Sequence, residues 1–509
     1  MLDARALPWC WGGFAAFLAV MVAIGVAGRR RVGSLEDFAL AGRRFLFWIA
    51  TLALLASWFG VGSCLGISGA VCVGGLRDVA ADPFASALSL VLSGVFLVGA
   101  LRRAGGMTVT DCIASRFGRA AGVYASAWMV PVYVGWLGSL VLGLGAIVHL
   151  LTGANAATAQ WIGAGVILLY TVAGGMWAVS MTDIVQMLLI FLGLALVLPG
   201  ALSQAGGLGE VLARNADCLS LVPAPPAAGV SRASHFAYVA GTWMIMGLGC
   251  MVGQDLMQRA FACRTPRTAT RSTIATGFLY LAVAIVPILI GLAAKTVLPA
   301  NGVTPESVGE GFENQVFARM AVIAVKGMPP IAVSVVFCTI LSAIMSSADS
   351  ALLAASSLVT NGIVMPLRPG TTRTGALRLA RATTIAVLLA AVLLAAQSGS
   401  VYKLMVNCWA SQLVVVFIPV VAAVYLPKAP RRAVWAAMVV APLVWMAFVA
   451  RAIVAELSDG AALSSALSSS GADFAFTAGA AYGFAAGMLS FGIACLLPAP
   501  TGRARHGSL

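Results

Sequence analysis

The residues best suited to bind an ion lie in 341–357, LSAIMSSADSALLAASS, inside a run from 327 to 367 whose one charge is Asp349. On an α-helix Ser346, Asp349 and Ser350 follow the i, i+3, i+4 spacing, so their oxygens share a direction. Ser347 is turned from Ser346 by about 100° and can face a neighbouring site, with Ser346 able to serve both. Hydroxyl, carboxylate and backbone carbonyl oxygens are hard donors suited to hard cations, and no His or Cys stands in the segment to favour a transition metal. Sodium or a proton is the natural ligand. A carboxylate at the bilayer centre costs about 2.5–3.5 kcal/mol on insertion scales, so Asp349 needs a partner. A second acid, Asp183, opens the apolar stretch DIVQMLLIFLG. Without an ion, the serines would bond back to i−4 carbonyls in small-residue helix packing, and Asp183 would be a first-turn acid favoured by the helix dipole.

The elements that carry these residues are membrane helices. Of 509 residues, 61% are hydrophobic and 9% charged, against about 25% charged in soluble domains, which excludes a soluble globular protein. Charge-free runs, at about 20 residues per crossing, predict an all-α polytopic membrane protein with 13 transmembrane helices; the run 120–182 is divided at Thr152, Gly153, Ala154 and Asn155. The first run, followed by Arg29, Arg30 and Arg31, predicts a retained span rather than a cleaved signal. With the N-terminus outside, 22 of the 31 basic residues fall in inner loops, Arg259, Arg264, Arg267 and Arg271 among them. The net charge of +14 is then topology, not nucleic-acid binding, and it places the C-terminus in the cytoplasm of a cell whose plasma (inner) membrane holds the chain. The ten cysteines form no CxxC pair and read as buried thiols.

Two outer loops are long, one with prolines at 223, 225 and 226 and one with Glu306, Glu310 and Glu313. No phosphate-loop motif points to ATP, and with nine residues after Pro500 no attached catalytic or signalling domain is expected, so an ion gradient is the expected energy source. Two spans are breakable. One carries Gly60, Gly62, Gly66 and Gly69, the other Gly247, Gly249 and Gly253. Each begins a set of five spans, the order expected of an inverted-repeat transporter whose discontinuous helices form a midplane site.

At these residues the chain resembles the sodium/solute symporter family. The resemblance rests on LASWFGVGS (55–63), YTVAGGMWAVSMTDIVQ (170–186), QDLMQRAFACRTPRTA (254–269) and IMSSADSALLAASS (344–357), in family order and spacing over residues 35–365. It implies a LeuT-like 5+5 inverted repeat with one preceding and two following helices. The divisions are 1–44 for the first span and loop, 45–209 and 210–427 for the repeats, and 428–509 for the last two spans. It also implies sodium-driven uptake of a small organic solute by a protein set in a lipid bilayer, with no cofactor beyond the coupling ion. Carried over residue by residue, the common sodium site uses the carbonyls of Ala56, Phe59 and Ala343 and the hydroxyls of Ser346 and Ser347. A second site of some members joins the position of Asp183 to those of Ser346 and Ser350, beside Asp349. Two carboxylates favour a second cation; their mutual repulsion could instead leave one protonated, a sodium-plus-proton alternative.

Within the family the motifs are most similar to the high-affinity choline transporter branch. Trp58 and Trp136 match aromatic positions of its cage, Ser63 lies near the same first break, and these three are the implied solute contacts. Ser86 stands where that branch has tyrosine and Gly253 where it has tryptophan. A non-transporting sensor lacks an output domain here, and an enzyme lacks a constellation, since His149, His235 and His506 are scattered.

Overall fold

A computed structural model describes residues 7–60, 62–153, 155–222, 231–309, 312–368, 370–395, 409–458 and 470–497. The proline stretch 223–226, Glu310 and the tail beyond Pro500 lie outside them. Among the described residues the regular elements are helices. In chain order those used below are α1 (Leu7–Arg29), α2 (Phe47–Trp58), α3 (Gly62–Gly74), α4 (Leu76–Ala104), α5 (Arg119–Thr152) and α6 (Ala156–Gln204). They continue as α7 (Arg232–Met244), α8 (Gln254–Ala262), α9 (Pro266–Ala300), α10 (Phe312–Ala324), α11 (Pro330–Ser357), α12 (Arg373–Ala395), α13 (Ile418–Tyr425), α14 (Arg431–Ser458) and α15 (Ser470–Leu496).

Ten helices are long and apolar enough to cross a membrane, or 11 when the bent pair α2 and α3 is one span, short of the expected 13 among the described residues. The difference has two visible sources. Most of the stretches 155–182 and 184–209, expected as separate spans, falls in one 49-residue helical run, α6, which is kinked at Gly175 and continuous through Asp183. The apolar helix Trp409–Tyr425 is shorter than the other ten. Large apolar side chains such as Trp48, Phe236, Phe278, Leu443 and Leu489 are exposed, as suits a bundle whose solvent is lipid.

The helix α11 is the centre of the bundle. Proline at its N1 position starts it without losing a needed donor. From Val336 to Ser357 its side chains are buried against α6, α5 and α1. Because this surface has partners on all sides, its small residues can be polar as long as each finds a bond. The pair α2 and α3 bends by 58° beside it. A Cβ on Gly60 would overlap the Ser347 hydroxyl and lie 3.3 Å from the Ala343 carbonyl, so glycine is what allows the broken strand of the pair to meet α11. The second break comes at Gly253 (φ −59°, ψ 135°), between α7 and α8. Its cap is the Tyr133 hydroxyl on α5, which accepts from the Gln254 backbone N–H at 2.5 Å. Both breaks fall in glycine segments expected to be discontinuous; Gly69 instead stays helical and packs on the Glu313 backbone.

The arginine-rich end ties the two broken helices together. Phe45, just before α2, pairs with Cys263, just after α8, through Phe45 N to Ala262 O at 2.9 Å and Arg264 N to Phe45 O at 3.0 Å. Gln258 donates to the Ala39 carbonyl at 2.8 Å and to Ser357 Oγ at 2.9 Å. The short helix Leu35–Leu40 also reaches α6, where Gly175 (φ 53°, ψ −149°) breaks the helix against the Phe38 backbone. A side chain there meets both a disfavoured backbone, worth on the order of 1–3 kcal/mol, and the Phe38 carbonyl. Gly175→Ala is therefore expected to lower the unfolding temperature of the detergent-solubilised protein by several degrees. Gly165→Ala, mid-helix with open space at its Cβ, should leave it unchanged or raised, and equal melting of the two variants would refute the assigned break.

Candidate functional site

The helix α2 ends with the Phe59 N–H bonding the Leu55 carbonyl at 2.7 Å, so the carbonyls that follow Leu55 belong to a helix C-terminus, the negative end of its dipole. They are turned to α11. Ser346 donates to the Ala56 carbonyl at 2.8 Å and lies 3.4 Å from the Ala343 carbonyl. Ser347 donates to the Ser57 carbonyl at 2.9 Å. Four of the five oxygens expected at the common sodium site, those of Ala56, Ala343, Ser346 and Ser347, thus meet at one junction. Phe59 is fully buried at the same helix end, and its carbonyl makes none of these bonds. Ser57, absent from the expected set, supplies the carbonyl partner of Ser347 instead.

One turn deeper along α11 lies a charged cluster. Asp183 on α6, Asp349 and Ser350 on α11, and Arg259 on α8 are all buried. Arg259 Nη2 donates to Asp183 Oδ2 at 2.9 Å and to Ser350 Oγ at 2.5 Å, Nε donates to the Ala53 carbonyl on α2 at 3.1 Å, and Nη1 to the Asp255 carbonyl at 3.3 Å. Tyr170 on α6 donates to Asp349 Oδ2 at 2.9 Å, and Ser350 Oγ lies 3.1 Å from Asp349 Oδ1. The shared face expected of Ser346, Asp349 and Ser350 is therefore divided: Ser346 and Ser350 face α2 and Arg259, while Asp349 turns to α6. Arg259 corrects the loop count of the sequence. It is 1% exposed, and its guanidinium is an internal cation rather than a topological charge. Two carboxylates still face one guanidinium, and Asp183 Oδ1 and Ser342 Oγ are buried with no hydrogen-bond partner among the described residues.

A cavity opens beside the first break. Trp58, Ser63 and Trp136, the three expected solute contacts, line it together with Gly60 and Ser347, which join it to the oxygen junction. Ser86 also lines it. Among the lining residues not expected from sequence are Asp82, Asp255, Tyr280 and Trp409. Trp58 and Tyr280 meet at 88° with ring centroids 6.4 Å apart, and Trp136 and Trp409 pack at 5.1 Å. Asp255, in the first turn of α8, accepts from Trp58 Nε1 at 2.9 Å and from the Tyr133 hydroxyl at 2.8 Å, which fixes the Trp58 ring. The Tyr280 hydroxyl bonds Asp82, and Ser63 Oγ lies 2.7 Å from that hydroxyl and 3.4 Å from Asp82 Oδ2. The one local sign of the missed pair was the i, i+4 spacing of Asp255 and Arg259, which sets both on one helix face.

This geometry agrees with what the chain is similar to. The sodium:solute symporter family model matches residues 38–441. A high-affinity choline transporter of Caenorhabditis elegans is 26% identical over 77% of this chain and 68% of its own length. The human high-affinity choline transporter is 27% identical over 68% of this chain and 60% of its own. A solved structure, the substrate-bound outward-open state of a Na+-coupled sialic acid symporter, superposes with a TM-score of 0.73 at 17% identity, covering 95% of this chain and 98% of the other, and so shares its fold. These relatives are transporters rather than enzymes. With the family match spanning most of its length, the chain belongs to the sodium:solute symporter family.

Proposed function

We propose that this protein is a sodium-coupled symporter that imports a small organic cation by alternating access. The observation that carries this is the junction of Ser346 and Ser347 with the carbonyls of Ala56 and Ser57, one wall of which is also the wall of the aromatic cavity. Sodium seated among the Ala56, Phe59 and Ala343 carbonyls and the two hydroxyls replaces those direct bonds with ion–oxygen contacts. It holds the end of α2 to α11 and so sets Trp58, the last residue of α2, against the solute. Trp58, Ser63 and Trp136 bind that solute, and the choline-transporter relatives together with the cavity's rings and carboxylates favour a cation. Release to the other side requires the ties at the arginine-rich end, Phe45 to Cys263 and Gln258 to Ala39 and Ser357, to open.

A second cation accompanies the first at Asp183, Asp349 and Ser350. Arg259 neutralises one of the two carboxylates, and Asp183 Oδ1, without a hydrogen-bond partner among the described residues, is the available donor for a second sodium. A proton on Asp349 is the second reading, favoured by the Tyr170 hydroxyl already bonded to that carboxylate. Each coupling charge gains about 2.3 kcal/mol per 100 mV of membrane potential.

In proteoliposomes with an inward sodium gradient, Ser346→Ala and Ser347→Ala are expected to raise the sodium concentration for half-maximal uptake at least tenfold, roughly 1.4 kcal/mol of lost ion binding. Unchanged sodium activation in both variants would exclude the junction as the sodium site. For Asp349→Asn the expected result is one charge fewer carried per labelled solute. If the second ion is a proton, acid outside pH speeds wild-type uptake and the variant loses that response; if it is sodium, the variant's dependence on sodium becomes less steep. Equal charge per solute in both proteins, with no pH response, would leave a single-ion symporter.

A further inference from the structure

The two carboxylates on the cavity wall are in different states of satisfaction. Asp255 is buried, and each of its oxygens accepts a full-strength bond, from Tyr133 at 2.8 Å and Trp58 at 2.9 Å. Asp82, on the first turns of α4, is half-buried and lines the cavity. Its partners are hydroxyls alone: Tyr280 on Oδ1, Ser63 at a long 3.4 Å from Oδ2, and Ser86. Among the described residues it forms no ion pair. A carboxylate offers about four acceptor positions, so part of this one is left for a ligand. Holding an uncompensated carboxylate in such a place is unfavourable, and a cationic ligand relieves it.

The chemistry of the ligand follows from where Asp82 sits. Tyr280 is both its hydrogen-bond donor and one ring of the perpendicular corner made with Trp58, so a cation against Asp82 also lies against ring faces. Rings alone suffice for a quaternary ammonium, whose charge is wrapped in methyl groups and carries no N–H. Such a ligand would take Asp82 out of water and give it no donor in return. A site built around a hydrogen-bonding group discriminates strongly against a ligand that lacks the partner. A protonated amine supplies both the charge and a charge-assisted N–H···O bond.

We propose that Asp82 makes this transporter selective for protonated amines, that is, organic cations bearing at least one N–H, over fully methylated ammonium compounds. The proposal rests on the cavity being the solute site, as above. Its test uses the purified full-length protein in sodium-containing buffer and follows binding by quenching of tryptophan fluorescence. The ligands are two methylation series, from ethanolamine to choline and from benzylamine to benzyltrimethylammonium. In the wild type the fully methylated member of each series is expected to bind at least tenfold more weakly than the N–H members. Asp82→Asn should weaken the N–H members about tenfold and flatten the series, and Asp82→Glu should restore part of the preference.

Tightest binding by the fully methylated members, in the wild type alone, overturns the proposal while leaving an organic-cation site in place. No binding by any member, with saturable binding of a neutral or anionic solute instead, overturns the organic-cation reading itself. Trp58→Ala without effect on any ligand removes the cavity as the site.

Discussion

The Arg259 guanidinium is the interaction on which the interior depends. It joins α8 to α6 through Asp183, to α11 through Ser350 and to α2 through the Ala53 carbonyl, with each of its three nitrogens bonded to an oxygen of a different element or of its own helix. Arginine suits the place because its planar fork offers five N–H groups without losing charge, where lysine would offer a compact point charge that deprotonates when buried. A buried guanidinium stripped of one partner is far costlier than a complete set, so these four helices are held at fixed separations. The glycine breaks are then tolerable, since helix ends that would otherwise be loose are tied on either side of each break.

The same short helix couples the two halves of the site. Asp255 and Arg259 are one turn apart on α8: the first orients Trp58 in the cavity, the second anchors the cluster of Asp183, Asp349 and Ser350. Tyr133 caps the start of that helix and bonds Asp255, so the cavity, the break at Gly253 and the charged cluster share one rigid turn. A rotation of α8 that opens the arginine-rich end must also shift Trp58 against its carboxylate. On the proposed function this supplies the mechanical link between solute and ion that an exchange of loose loops would lack.

Much of this was legible in the residues before the fold was known, and for definite reasons. Gly60 and Gly253 are visible because a membrane helix has little other use for clustered glycine than close packing or a break. Ser346, Ser347 and Asp349 are visible because a lone carboxylate among hydroxyls stands out in an apolar run. Arg259 is hidden by its context: it opens a basic stretch with Arg264, Arg267 and Arg271, and a charge count along the chain has no measure of depth. Asp82 is hidden for a related reason, since Arg77 and Asp78 precede it and make the segment look like a solvated loop. Tyr280 and Trp409 carry no local mark at all, because an aromatic residue in a membrane helix faces lipid, core or ligand according to neighbours far away in sequence. The length of α6 shows the converse limit, where one polar residue separates two apolar runs that the backbone keeps helical on both sides.

Charge balance connects these features. Among the described residues the apolar bundle holds Asp82, Asp183, Asp255 and Asp349 against one buried cation, Arg259, so this interior lacks positive charge unless ligands or protons bring it. On the proposed function, a cationic solute supplies it at Asp82 and coupling ions supply it along α11. Closing the bundle over only one of them would leave unbalanced charge in a medium of low dielectric constant, at a cost of several kcal/mol. Closing over both does not. A transporter built this way favours the occluded state only when solute and ions are aboard together, since a ligand shifts a conformational equilibrium by no more than its differential affinity for the two states. Coupling then follows from electrostatics as well as from contact, and the scarcity of charge in the rest of the chain is what makes the few buried charges decisive.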